Sequence, residues 1–217
     1  MTRHRIYELH HDPSLVPHTL DAAEVRAIHR HLFQDVYDWA GQYRVVDIAK
    51  ADSVFAHYDG GIQAALEAMT RHNRAVPWSR LNRDDMIACA ATTIATLNHA
   101  HPFREGNGRT SRALLERLAA PAGFTMRWRA LTPQQWADVC ARAMPRPGTT
   151  RTRPSELHEA LGRIIQPTPL DPSLERIRTL TRLITPQNTP TAADHSQHSQ
   201  TPPPPAPQQH QRRGPHL

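Results

Sequence analysis

The sequence of 217 residues is short of the features that mark several large protein classes. It has only two cysteines, Cys89 and Cys140. That is too few for a disulfide scaffold, and both lie in apolar helical patterns, so they read as buried thiols in a reducing, cytoplasmic protein. No apolar run reaches the ~18 residues of a membrane-spanning helix, so no membrane association is expected. The first residues, MTRHRIYELHHDPS, lack the apolar core of a signal peptide. The net charge is +6 and the sequence pI about 10.1, yet the basic residues are scattered and form no long run. Arginine-rich composition accounts for this better than a nucleic-acid surface does. The sequence holds 15 histidines but no HExxH, and it has no GxxxxGK[ST] phosphate loop and no internal repeat.

What is present is mostly helical periodicity. Asp21 is placed to cap a helix running to Phe33, with Val25, Ile28, His29 and Leu32 on one face. Gly41 ends the short run after it. The stretch YRVVDIAKADSVFAHY alternates β-branched and polar residues around Ala51-Asp52-Ser53 and reads as a small hairpin. A helix is expected over Ile62 to Asn73. Another, capped by Asn82, runs from Arg83 to about Asn98, and its many alanines predict a central helix closely approached by its neighbours. Pro102 ends that helix before His101. Further helices are expected from about Arg109 to Pro121, from Thr132-Pro133 through Met144, from Leu157 to Ile165, and from Leu174 to Ile184. The expected class is all-α, with at most one minor hairpin. The expected organisation is a loose lead-in over 1–20, a main domain with a helical C-terminal extension over 21–166, a weak additional helix over 167–185, and a Pro-rich disordered tail over 186–217.

One loop between two helices concentrates chemistry: HAHPFREGNGRTSR, residues 99–112. A helix start exposes unpaired N–H groups and the positive end of its dipole, so Gly106-Asn107-Gly108 can form an anion nest for phosphate. Arg109 and Arg112, three apart on the new helix, can reach the same phosphates. Glu105 can hold Mg²⁺, which commonly takes one or two carboxylates plus phosphate oxygens. His101 is the natural general base, because its unperturbed pKa lies near neutrality. Phe103, apolar in a polar loop, is expected to turn inward and pin the loop. Together these are the parts needed for attack by a hydroxyl on a nucleotide phosphate. The other histidines read as surface or core residues.

HPFREGNGRTSR resembles the signature of the Fic family, HPFx[D/E]GNGRxxR, with every defined position matched. The stretch IHRHLFQDVYDWAGQYR and the spacing of KADSVF are also similar, so the resemblance covers roughly residues 20–145. It implies a Fic fold and transfer of AMP from ATP, with Mg²⁺, to a Tyr, Thr or Ser hydroxyl of a target protein. By the same resemblance His101 is the base, Glu105 binds the metal, and Gly106, Asn107 and Gly108 cradle the phosphates with backbone and amide donors. Arg109 and Arg112 hold the β- and γ-phosphates, and Lys50 to Phe55 form a flap that aligns the target by strand-like pairing.

Two departures stand out. Only about twenty residues precede Asp21, where family members often carry a further helical segment. The self-inhibitory motif [S/T]xxxE[G/N] is also missing: Thr152 to Glu156 has the spacing, but Leu157 follows and Pro154 interrupts. The expectation is therefore a small inhibitory partner acting in trans, as in a toxin–antitoxin pair. The alternatives are a Fic-fold phosphotransferase, which resembles HxFxxANKR and is disfavoured by Gly106 and Gly108, and a basic nucleic-acid-binding protein, which leaves residues 99–112 unexplained.

Overall fold

The computed structural model describes residues 1–50 and 53–169. The hairpin tip at Ala51-Asp52, the expected helix over 174–184 and the Pro-rich segment from 186 lie outside the described residues.

Seven α-helices of the described residues build one core. They are α1 (Thr2–His11), α2 (Ala22–Phe33), α3 (Gly61–Ala75), α4 (Arg83–Ala100), α5 (Asn107–Ala119), α6 (Pro133–Arg142) and α7 (His158–Ile164). Their starts follow from local chemistry. The Asp21 carboxylate accepts from the N–H groups of Ala23 and Glu24, Asn82 accepts from Asp85 N–H, and Thr132 forms a reciprocal capping box with Gln135. α4 is the central element and packs against α3, α5 and α7. Ala90, Ala91, Ala95 and Ala100 are fully buried, so α4 presents small side chains to close neighbours, as its composition predicts. Val25, Ile28, His29 and Leu32 of α2 are likewise fully buried on one face.

The expected hairpin forms, with β1 (Ala49–Lys50) antiparallel to β2 (Ser53–Val54), Ala49 opposite Val54 and Lys50 opposite Ser53. Its legs are anchored to the α4 C-terminus, where Ala56 N–H donates to His99 O at 2.9 Å.

Two expectations need correcting. The lead-in is not loose: residues 2–11 are helical, fixed by Leu9 in the core and by Arg5, whose guanidinium grips Asp35 at 2.7 and 2.8 Å. A second strand pair also exists, β3 (Phe124–Met126) against β4 (Ile165–Pro167), closing the C-terminal segment onto the end of α5. Cys89 and Cys140 are free thiols, each partly buried.

The ends of α2 and α5 are tied by a buried ion pair. The Glu24 carboxylate accepts from Arg117 Nε at 2.6 Å and from Leu20 N–H at 2.8 Å, and His18 Nδ1 lies 2.9 Å away. Arg117 also donates to the carbonyls of Pro13 and Val16, so each oxygen of the carboxylate and each nitrogen of the guanidinium has a hydrogen-bond partner. The consequence is that α5, which carries the motif, is held at both ends: here by α2, and at its start by the loop.

Candidate active site

α4 stops at Ala100, and His101 caps it in the left-handed region, φ 39° and ψ 58°. Pro102 explains the stop, since it disfavours α geometry at the residue before it. It does not explain the left-handed backbone, which costs a non-glycine residue energy and must be held. Local contacts hold it. His101 N–H donates to Leu97 O at 3.0 Å, Arg44 Nε donates to His101 O at 2.9 Å, and the imidazole stacks on Phe55 with centroids 3.8 Å apart. Phe55, expected in a flap, is thus buried against the His101 ring rather than free to reach outward. The backbone position of Lys50 lies in β1, opposite Ser53.

The loop after His101 is pinned from inside. Phe103 is fully buried and stacks on His29 at 3.8 Å. The Asn107 carboxamide brackets it, accepting from Phe103 N–H at 3.0 Å and donating to Phe103 O at 2.7 Å. The Asn107 side-chain amide is therefore turned into the loop, and its backbone N–H stands in the first turn of α5. His29 is the second pin. Gly41 N–H donates to its Nδ1 at 2.8 Å, so Nε2 carries the proton and donates to Glu105 O at 3.0 Å. Burial pulls the His29 ring below the ordinary histidine range, and the nearby Arg109 charge adds to this, so the ring works as a neutral, one-tautomer bridge.

The nest then opens onto α5. Gly106 is its N-cap, at φ 87°, with no side-chain cap. A Cβ there would stand 2.5 Å from the Phe33 ring, so both conformation and packing require glycine. Gly108 is different: it is exposed, and a Cβ there would meet nothing within 4 Å. The helix begins at Asn107, two residues before the expected start, and no side chain caps its first N–H groups. Thr110 and Ser111 hydroxyls donate back to Gly106 O and Asn107 O at 3.1 and 2.6 Å, stiffening this first turn.

The charged residues line the opening. The Glu105 side chain is 61% exposed, and its carboxylate lies 3.2 Å from Arg109 Nη2. The Arg109 guanidinium lies over Phe33, 4.5 Å from the ring centre. Arg112 lies over Trp128 at 5.0 Å, and Trp128 Nε1 donates to Glu116 at 2.6 Å. Burial pushes the Glu116 carboxyl up, partly offset by the Trp128 hydrogen bond. Among the described residues no group of three or more His, Cys, Asp or Glu could form a metal cage. The donor set instead fits a hard cation carried with phosphates: a single open carboxylate, Glu105, beside an uncapped helix N-terminus.

Three residues of this site are not evident in the sequence as functional. His29 is legible only as a core residue on the apolar face of α2. Arg44 gives no signal, because an arginine after a tyrosine in a polar loop is ordinary. Trp128 is distant in sequence from the arginine it supports. Glu156, the end of the near-match to the inhibitory motif, faces Arg142 and Arg153 at 3.6 and 3.4 Å.

Residues 19–119 match the model of the Fic/DOC family. The chain is 40% identical over 108 residues to the protein adenylyltransferase VbhT of Bartonella schoenbuchensis, covering 50% of this chain and 23% of that protein. It is 35% identical over 125 residues to the probable protein adenylyltransferase y4lH of Sinorhizobium fredii, covering 57% and 65% respectively. The chain thus spans less than two-thirds of the length of these curated relatives. Its fold matches the N-terminal Fic domain of a VirB-translocated Bep effector from Bartonella quintana, solved with bound ADP. That match has TM-score 0.66 and 27% identity, over 81% of this chain and 84% of the other. Residues 19–119, which hold both the histidine at the end of α4 and the glycine-flanked start of α5, are thus similar to the Fic/DOC family.

Proposed function

We propose that the protein is an adenylyltransferase that moves AMP from ATP to a hydroxyl side chain of a target protein. The observation that carries this is the juxtaposition of His101, fixed at the end of α4, with the start of α5 six residues on, which has no side-chain cap and leaves space beside Gly108. Relatives named protein adenylyltransferase support the same reading.

In this reading the triphosphate lies on the N–H groups of Asn107 and Gly108, with Arg109 and Arg112 holding its outer phosphates. Glu105 would hold Mg²⁺, which when bound neutralises charge on the phosphate oxygens. The target segment pairs with the exposed edge of the β1–β2 flap and presents a Tyr, Thr or Ser hydroxyl to His101. The hydroxyl proton passes to the imidazole as the oxygen bonds to the α-phosphorus. The bond from that phosphorus to the bridging oxygen breaks, and pyrophosphate leaves. The test is labelling of bacterial lysate proteins with ATP carrying ³²P at either the α or the γ position. Label from the α position only is expected, and His101→Ala should cut it by about 10²–10⁴-fold while ATP still binds. Label from the γ position would make this a phosphotransferase instead.

Arg112 is partly buried, with its guanidinium on the aromatic face of Trp128. The protein's own near-match, Glu156, is engaged with Arg142 and Arg153. Restraint is therefore assigned to a small partner carrying [S/T]xxxE[G/N], whose glutamate would occupy Arg112 and repel the triphosphate. Co-expression of such a partner should relieve growth inhibition by the chain, and activation of the lone chain by mutating one of its own glutamates would refute this.

A further inference from the structure

We infer that Arg44 is the positioning residue that ties the target-binding flap to the catalytic histidine, so that hydroxyl and base keep one separation. Arg44 is only 2% exposed, although it is an arginine in a connecting segment. Its donors go to three places at once. Nη1 donates to Val46 O at 2.7 Å, before β1; Nη2 donates to Ala56 O, after β2; Nε donates to His101 O at 2.9 Å, with Ala100 O 3.4 Å from Nη2. The Arg44 N–H adds a bond to Pro102 O at 2.8 Å. One planar fork therefore spans both legs of the hairpin and the terminal carbonyls of α4.

The charge has a place to rest. The last carbonyls of a helix carry the negative end of its dipole and have no intrahelical partner, so a cation there satisfies both. The nearest carboxylate, Asp47, is 3.6 Å from Nη1 and about half exposed. It is also shared with Tyr58 N–H at 2.9 Å and His57 at 3.0 Å. Arg44 is thus committed mainly to carbonyls, and the geometry of its fork sets how they lie relative to one another. Only a guanidinium can do this, because a lysine ammonium is a single point with no fork.

The inference rests on the reading of the flap as the target-pairing edge. If the target strand lies on the flap, the distance from its hydroxyl to His101 is transmitted through Arg44. His101 itself is in a left-handed backbone conformation that needs such support. A misplacement of about 1 Å can cost on the order of 10²-fold in rate.

The experiment compares the full chain with Arg44→Lys and Arg44→Met. Four quantities are read: melting temperature, affinity for ATP, rate of AMP transfer to lysate proteins, and hydrogen exchange of the amides over 45–58 and 99–103. Arg44→Lys is expected to stay folded and to bind ATP within about three-fold of the parent. It should transfer AMP about 10²-fold more slowly, with faster exchange in both segments. Transfer at the parental rate overturns the inference. So does a loss of transfer matched by an equal loss of ATP affinity, or unfolding of both variants, either of which makes the residue merely structural. Failure of the parent itself to transfer AMP refutes the proposed function instead. The exchange measurement still decides the role of Arg44 in that case, since unchanged exchange in both segments refutes the coupling.

Discussion

Gly106→Ala tests the geometry of the nest where it is most tightly specified. Two costs follow from the structure. The residue sits at φ 87°, and forcing a side chain into the left-handed region costs roughly 1–2 kcal/mol. The new Cβ would also lie 2.5 Å from the Cε2 and Cζ atoms of Phe33, a ring with no exposed surface and so no easy retreat. Overpacking of this kind costs about 1–3 kcal/mol. The sum is about 2–5 kcal/mol, and at ~2–4 °C per kcal/mol for a domain of this size the melting temperature should fall clearly. A double-mutant cycle separates the two parts. Phe33→Leu removes the atoms in the clash, so in that background Gly106→Ala should cost only the backbone part, about 1–2 kcal/mol. Chemical denaturation of all four proteins gives the coupling, expected at about 1–3 kcal/mol. If the two substitutions are additive, Phe33 is not what demands glycine, and the account of how this loop is packed is wrong.

Other outcomes follow from the same contacts. Gly108→Ala should leave folding intact or gain up to ~1 kcal/mol of helix propensity, because its Cβ meets nothing within 4 Å, yet calorimetry should show weaker ATP binding because the methyl enters the phosphate space. Trp128→Leu should weaken ATP binding by about 2–30-fold, the loss of a cation–π contact of ~0.5–2 kcal/mol, whereas Trp128→Phe keeps the ring and most of the affinity; equal affinities for all three would show that the ring does not support Arg112. Stability should fall as pH drops below about 6.5: the folded pKa of His29 is depressed by burial, as is that of His99, so the unfolded chain binds protons first. Glu116 acts in the opposite sense, its raised carboxyl favouring the fold at lower pH, and a His29→Gln protein should show a flatter melting curve against pH between about 5 and 6.5.

The parts of the fold written in local chemistry were the legible ones. Asp21, Asn82 and Thr132 mark their helices because a cap is a contact between near neighbours in sequence. α1 was not legible because its residues are mainly arginine, histidine and polar, and its helix depends on Leu9 and on Arg5 reaching Asp35. The β3–β4 pair was missed because its strands are three residues each and far apart in sequence, so neither carries a pattern of its own. The motif residues could be named because each has a side chain suited to one chemical task. What holds them could not, because His29, Arg44 and Phe33 act through backbone carbonyls and ring faces that exist only after folding.

The two glycines of the nest show why spacing alone stops short of mechanism. In the sequence Gly106 and Gly108 are the same letter, two residues apart, and both read as backbone made free to approach a phosphate. In the structure they answer different demands. Gly106 is fixed from the protein side, by a positive φ and by Phe33 behind it. Gly108 is under no such constraint, and its missing side chain matters only to whatever occupies the space in front of α5. A substitution that unfolds the loop and one that leaves it folded but closes it to ligand are therefore separable. The pair divides the motif into a half that the fold demands and a half that, in the function proposed above, meets the substrate. Asn107 between them belongs to both: its amide closes the loop around Phe103 while its N–H starts the helix toward the opening. The α5 N-terminus has no side-chain cap, while loop carbonyls are satisfied from the other side, by His29 and Asn107.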